Sequence, residues 1–312
     1  MPQSLLVVGS VAIDTVRTPF GEAREVLGGS AVYCSVAASL FAPVRLVGVV
    51  GEDFPPAFRR VLESRPIDVA GLRVVPGGRT FRWRGSYAGD MNQATTEDVQ
   101  LNVFGDFRPL IPEAFRRTDL VFLANGSPVT QMAVLDQVER PRLVVADTMN
   151  LWIERARLDL LALLKRVDGI VLNDAEARML TGETNLVVAG DKVLAMGPGF
   201  AVIKKGEHGS LLLSREGPRP LGVPTRMVSP LPGFPTPLVR DPTGAGDSFA
   251  GGMMGYLATV GRFAFDDLMR AAAYGTVMAS FNVEDFSLRR LESLTRQDVD
   301  ERFAMYRRML TL

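Results

Sequence analysis

Short, continuous apolar runs alternate with longer stretches of helical period along most of this chain. Leu5–Val8, Val44–Val50, Leu120–Ala124, Leu143–Ala146, Gly169–Leu172, Ala201–Lys204 and Ser210–Ser214 have the look of buried strands. Between them Ser30–Phe41, Asp53–Ser64, Pro128–Val138, Leu151–Lys165 and Asp174–Leu180 read as helices. Further helices are expected over Ser248–Thr259, Asp266–Asn282 and Thr295–Leu310, the last opened by a capping box from Thr295 to Asp298. Strands alternating with helices indicate a mainly parallel sheet covered on both faces.

Thr80–Tyr87 breaks this rhythm. Phe81, Trp83 and Tyr87 fall on one face of an extended segment, and Arg82, Arg84 and Ser86 on the other. Val99–Val103 alternates as well, so the two segments suggest antiparallel strands of a small sheet with one covered face. Residues 15–27, polar and carrying Pro19 and Gly21, are candidates to join it. An edge extension of the main sheet is the other reading of the same pattern. Gly217–Pro237 is rich in proline and reads as a loop with short edge strands.

Composition narrows the field without naming a function. The 312 residues are 47% hydrophobic, enough for a sizeable core, and carry 35 basic against 35 acidic side chains. A balanced charge argues against a nucleic-acid partner held by a strong field. Cys34 is the single cysteine, which excludes an internal disulfide, and with one histidine a zinc cluster of the usual ligands is excluded too. The N-terminal apolar run is too short for a membrane span and lacks the basic flank of a signal peptide, so a cytoplasmic protein with no membrane partner is expected.

The chemistry concentrates in Asp241-Pro-Thr-Gly-Ala-Gly-Asp247, followed directly by a helix rich in small residues. Gly244 and Gly246 allow a sharp turn. The N–H groups of Gly244, Ala245 and Gly246 then face outward at a helix start, where backbone donors and the macrodipole favour an anion such as phosphate. Asp247 is an anion in the same turn. Beside a phosphate it makes sense as a base that takes the proton of a hydroxyl attacking that phosphate. A glycine-rich turn with Asp247 as an ordinary helix-start carboxylate is the plainer reading, but the order carboxylate, Thr, Gly-Ala-Gly, carboxylate, helix is far more specific than a lone pair of glycines.

That segment closely resembles the signature of the ribokinase-like (PfkB) carbohydrate kinases, in which the second Asp is the catalytic base. Over nearly the whole chain the resemblance implies a single ribokinase-like α/β domain spanning 1–312. Its central, mainly parallel sheet would be flanked by helices, and a small β-lid formed by about 15–27 and 78–104 would close over the sugar. It also implies roles for residues elsewhere. Asp14, after the first strand, would hold substrate hydroxyls, with Gly28 and Gly29 giving backbone contacts. The family usually has an Asn a few residues after that glycine pair and often a Lys directly after it. This chain has Ser30, then Tyr33 and Cys34. Tyr33 is left with two readings, a stacking partner for a substrate ring or a core residue. Asp147 and Asn150 resemble a D-x-N element near the acceptor, without the Arg that often follows.

Asn173 and Glu176 form an N-x-x-E element that in the family organises magnesium and its waters near the phosphates; a helix capping box explains the spacing equally well. Lys205, Gly206 and Gly209 look like the family's loop under the nucleotide, although a plain hairpin turn also accounts for the glycines. Thr243 joins the nucleotide side, Asn282 would border the adenine or end its helix, and Asp241 would lie near a monovalent-cation site found in some relatives. His208, the only histidine, reads as a solvated turn residue. The implied activity is magnesium- and ATP-dependent phosphorylation of a hydroxyl on a small sugar or polyol, with Asp247 as base. A nucleoside or inositol kinase of the same fold, or a non-catalytic ligand-binding relative, are the alternatives. Exposed lid strands also make a homodimer through the lid conceivable.

Overall fold

In the computed structural model the described residues are 3–215 and 227–311. Along the chain the strands are β1 (Leu5–Val8), β2 (Ala12–Thr18), β3 (Gly21–Gly28), β4 (Val44–Gly51), β5 (Ile67–Val75), β6 (Phe81–Tyr87) and β7 (Ala94–Gln100). They continue as β8 (Leu120–Leu123), β9 (Leu143–Asp147), β10 (Gly169–Asn173), β11 (Phe200–Lys204), β12 (Ser210–Ser214) and β13 (Met227–Leu231). Among the described residues nine of them form one large sheet in the order β13-β12-β11-β10-β9-β8-β1-β4-β5. Its pairings are parallel from β5 through to β11, and antiparallel at β11–β12 and β12–β13.

Strand β1 lies inside this layer, between β8 and β4, and is buried on both faces, which is why its four residues are uniformly apolar. Leu5 and Val7 enter one core and Leu6 and Val8 the other, as the two-residue period of a strand requires. On the first face lie helices Ser30–Ala38, Ala245–Val260 and Phe265–Asn282. Small residues let these three approach closely: a methyl on Gly251 would meet the Cys34 carbonyl at 2.4 Å, and one on Gly275 the Phe249 carbonyl at 2.7 Å. The other face is covered by Pro128–Leu135, Arg157–Leu164, Asp174–Thr181 and Leu186–Ala195.

The separate small sheet has the order β3-β2-β6-β7. Its outer pairs are antiparallel, as the alternation in Thr80–Tyr87 leads one to expect, but β2 and β6 at its centre run parallel. Two sequence expectations need correction. The strand read at Val99–Val103 is instead Ala94–Gln100, and residues 102–104 form a single tight helical turn. Every residue of β7 is exposed, so no burial pattern marks it; its pairing with β6 holds it extended. The helix expected over Leu151–Lys165 is two, Asn150–Arg155 and Arg157–Leu164, broken where Ala156 leaves helical geometry at φ −132°. The apolar period continues across that break and therefore conceals it. Residues 15–27 fall on β2 and β3 of the small sheet, as expected, whereas β5 and the helix Leu186–Ala195 carry no clear signal in the chain and are additions from the structure. The proline-rich stretch does end in an edge strand, β13, with Pro230 opposite Leu211, while residues 216–226 of that expected loop lie outside the described residues.

Candidate active site

The carboxyl edge of the large sheet gathers the polar groups. In register, Asp147 ends β9, Asn173 ends β10 and Lys204 ends β11, with Val171 opposite Asp147 and Asn173 opposite Lys204. Ligands of open α/β sheets bind at such an edge. Facing it is the start of the helix Ala245–Val260, reached through a tight turn in which the Ala245 N–H donates to the Pro242 carbonyl at 3.1 Å. Gly244, at φ 75° and ψ 2°, occupies the third position of that turn, where a type II geometry demands a positive φ. This corrects the expectation of three free donors. The Ala245 N–H is consumed by the turn, while those of Gly244 and Gly246 meet no backbone carbonyl.

The turn is braced from three sides. Asp241, fully buried, accepts from the Thr243 N–H at 2.9 Å and the Ser287 N–H at 3.0 Å, so both its oxygens serve the backbone. Asn282, in the last turn of its helix and 1% exposed, donates its amide to the Thr243 carbonyl at 2.8 Å and accepts from the Ser248 hydroxyl at 3.0 Å. Its side chain thus pins the turn to two helices. Behind Gly244 stands the Tyr33 ring, 1% exposed, only 2.4 Å from where a Cβ on that glycine would lie. The Tyr33 ring is thus a wall of the turn.

Asp247 lies in the first helical turn, partly buried, and desolvation there raises its pKa to about 7; the negative charge of Asp147 adds to this and the Lys204 ammonium opposes it. Glu176 is likewise pushed up to about 7 by burial, with Lys204 countering and Asp147 reinforcing. It completes the expected capping box: the Asn173 N–H donates to Glu176 Oε2 at 2.6 Å and the Glu176 N–H to Asn173 Oδ1 at 2.8 Å. Burial also raises the Asp147 carboxyl, against the pull of Lys204. For Lys204 burial works downward, but Asp147, then Glu176 and Asp247, more than offset it and hold the ammonium above its ordinary pKa.

Asp14 lies on β2, so it belongs to the small sheet and not to the end of the large sheet's first strand. Its Oδ2 lies 1.9 Å from where a Cβ on Gly28 would stand, which requires glycine there, and its Oδ1 is buried with no hydrogen-bond partner among the described residues. Burial lifts its pKa to about 8; the Gly29 N–H pulls down, and the charges of Asp241 and Asp247 push up. Gly29 itself, at φ 99°, sits where a Cβ would strike the Ser10 carbonyl at 2.5 Å. The small sheet reaches across to this pocket. Tyr87 at the end of β6 brings its hydroxyl to 3.4 Å from Thr243 Oγ1, and Asn92 at the hairpin tip donates to Glu207 at 3.5 Å, in the turn after β11.

The structure therefore brings together Asp14, Gly28, Gly29, Tyr33, Asp147, Glu176, Asp241, Thr243, Gly244, Gly246, Asp247 and Asn282. Asn150 stands apart: it is exposed, and its Oδ1 accepts from the neighbouring Leu151 N–H at 3.0 Å. Lys205, Gly206 and Gly209 shape the turn between β11 and β12, where the Lys205 N–H donates to the Gly209 carbonyl at 2.7 Å. His208 is solvated there, as its neighbours suggest, with 77% of its side chain exposed. The residue missed from the sequence is Lys204, one position before the expected Lys205. Its signal was available in principle, since it is the last residue of an apolar strand run and so falls on the ligand edge of the sheet. No group of three or more His, Cys, Asp or Glu side chains among the described residues could by itself hold a metal ion. No helix among them is long and apolar enough to cross a membrane.

Residues 2–293 match the family described as pfkB family carbohydrate kinase. This chain belongs to that family. The cytidine kinase of Thermococcus kodakarensis is 31% identical over 255 residues, covering 80% of this chain and 87% of that protein. The nucleoside kinase of Methanothermobacter thermautotrophicus is 25% identical over 306 residues, covering 91% and 90%. Among solved structures, the Methanocaldococcus jannaschii nucleoside kinase, an archaeal member of the ribokinase family, superposes with a TM-score of 0.76 at 20% identity, over 97% of this chain and 98% of that one. The pfkB-type kinase described here thus has the ribokinase fold and is a phosphotransferase acting on a hydroxyl of a sugar or a nucleoside.

Proposed function

We propose that this kinase transfers the γ-phosphoryl group of ATP to a ribosyl hydroxyl of a nucleoside, with magnesium. The observation that carries the transfer is Asp247, a partly buried carboxylate in the first turn of a helix whose start presents Gly244 and Gly246 N–H groups that are unpaired among the described residues. The nucleoside acceptor is supported by the likeness to the cytidine kinase over four-fifths of the chain.

The acceptor binds beneath the lid, with the unpartnered Asp14 Oδ1 facing one of its hydroxyls and the Gly28–Gly29 backbone beside it. Asp247 takes the proton of the attacking hydroxyl as that oxygen bonds to the γ-phosphorus. The bond from phosphorus to the bridging β-phosphate oxygen breaks, and its electron pair leaves with ADP. Negative charge growing on the transferring oxygens faces the Gly244 and Gly246 donors, which are already oriented and need no rearrangement. The lowered lid excludes water, so the phosphoryl group passes to the acceptor and not to solvent. Magnesium supplies charge neutralisation on the phosphates. The residues fit an indirect hold on it: Glu176 is tied into its capping box, no cluster of three acidic ligands exists among the described residues, and magnesium keeps most of its waters.

The test is ADP release from magnesium-ATP across nucleosides, pentoses, hexoses and inositols, with Asp247→Asn as control. Nucleosides are expected to be turned over, and the control to fall by roughly 10²–10⁴-fold, the size of a general-base contribution. Unchanged turnover in Asp247→Asn would refute the base. Turnover of free sugars with none of nucleosides would refute the acceptor.

A further inference from the structure

Lys204 is largely shielded from solvent yet makes no hydrogen bond among the described residues. It ends β11 with a side chain 17% exposed, and its Nζ lies 3.9 Å from Asp147 Oδ1, an ion-pair distance beyond hydrogen-bond reach. Among the described residues its ammonium donates no hydrogen bond, although an ammonium carries three donors and leaving them unmade in a buried place is costly. Its position explains what it awaits. A Cβ on Gly246 would stand 2.9 Å from Nζ, so the ammonium is directly beside the N–H donor at the start of the helix.

Charge points the same way. Asp147, Glu176 and Asp247 all act on this one lysine, and a polyphosphate entering among three carboxylates needs a cation between them. Lysine suits the place better than arginine. Its ammonium is a compact point charge, whereas a guanidinium fork needs the space that the closely approaching Gly246 leaves no room for. The chain uses lysine at only four positions, Lys165, Lys192, Lys204 and Lys205. Of the two adjacent ones, Lys204 is the one turned into the site.

We propose that Lys204 is a further catalytic residue of this kinase, whose ammonium leaves Asp147 to donate to the oxygens of the transferring phosphoryl group alongside the Gly246 N–H. The inference rests on the phosphoryl-transfer reading above. Between turnovers Lys204 balances the carboxylates. With the triphosphate bound it meets charge that exists on the γ-phosphoryl and not on ADP.

The experiment compares Lys204→Met with the wild type in three readouts: affinity for ADP, affinity for a non-hydrolysable ATP analogue, and kcat. The variant is expected to bind ADP within about threefold of the wild type, to bind the analogue at least tenfold more weakly, and to lose roughly 10²–10³-fold in kcat, the loss typical of removing one donor to a developing oxyanion. Equal weakening of ADP and analogue, or a kcat within about threefold of the wild type, would overturn it and leave Lys204 as a counter-ion of Asp147. Should Lys204→Met fail to fold, Lys204→Met combined with Asp147→Asn removes the charge pair together, and the same comparison applies. Asp247→Asn run in parallel separates the two claims. Wild-type transfer, lost in Asp247→Asn but kept in Lys204→Met, defeats this inference alone. If the wild type transfers to no acceptor, the phosphotransferase reading fails, while the ADP-against-analogue comparison still decides whether Lys204 meets the third phosphate.

Discussion

Gly244→Ala tests whether the anion cradle is built as described, and the structure sets the size of the effect. Two costs add. Alanine at φ 75° meets the ordinary steric penalty of the left-handed region, about 1–2 kcal/mol. In addition, the new methyl would lie 2.4 to 2.5 Å from three Tyr33 ring atoms, far inside contact distance. That ring cannot swing away, because it is 1% exposed and packed in the core, so the overpacking adds about 1–3 kcal/mol. The sum is about 2–5 kcal/mol, which for a chain of this length lowers Tm by roughly 3–8 °C. Gly182→Ala is the internal control. Gly182 has the same backbone, φ 73°, but nothing within 4 Å of the methyl position, so it bears only the first cost. Scanning calorimetry on both variants separates strain from collision. Equal shifts would refute the placement of Tyr33 behind the cradle, and no shift in Gly244→Ala would refute the left-handed turn itself.

Two other outcomes follow from the acceptor side. Gly28→Ala puts a methyl 1.9 Å from Asp14 Oδ2 and must displace that carboxyl, so the acceptor KM should rise about 10–150-fold, the worth of a hydrogen bond to a charged group, with the KM for ATP unchanged; an unaltered acceptor KM would remove Asp14 from the site. Asp14 is also a pH sensor for stability: its carboxyl has a pKa near 8 in the fold against 3.8 as a free side chain, so between these values the unfolded chain has released a proton that the folded one retains. Ligand-free Tm is therefore expected to fall as pH rises from about 4 to about 8, and Asp14→Asn should flatten that slope; an identical slope in the variant would show that the carboxyl is not buried as described.

Much of the fold was legible because the inner parallel strands are buried on both faces and announce themselves as apolar runs. Leu5–Val8, Leu120–Leu123 and Phe200–Lys204 stand within a residue or so of their expected places. The elements that escaped notice lack that contrast. β7 is exposed along its whole length, and β5 mixes buried and exposed residues without a steady period. At the site, the turn from Asp241 to Asp247 was legible because its glycines, carboxylates and following helix are contiguous, and local geometry follows from local sequence. The capping box of Asn173 and Glu176 was legible for the same reason.

What the chain alone determined, then, is the list of parts: alternating strands and helices, one glycine turn opening a helix, and a carboxylate in that turn. Tertiary structure decided which parts meet. Lys204 and Asp147 are remote in sequence, and only the register of β9, β10 and β11 sets them at one edge. The same holds for Tyr33 as the wall behind Gly244, Asn282 as the brace of Thr243, and Asp14 fitted against Gly28. Strand order and helix packing are cooperative outcomes of burying both faces of one sheet, so the contacts they create have no signature at any single position. The perturbed carboxyls of Asp14, Glu176 and Asp247 belong to the same class, since burial is their first cause and burial exists only once the chain has folded.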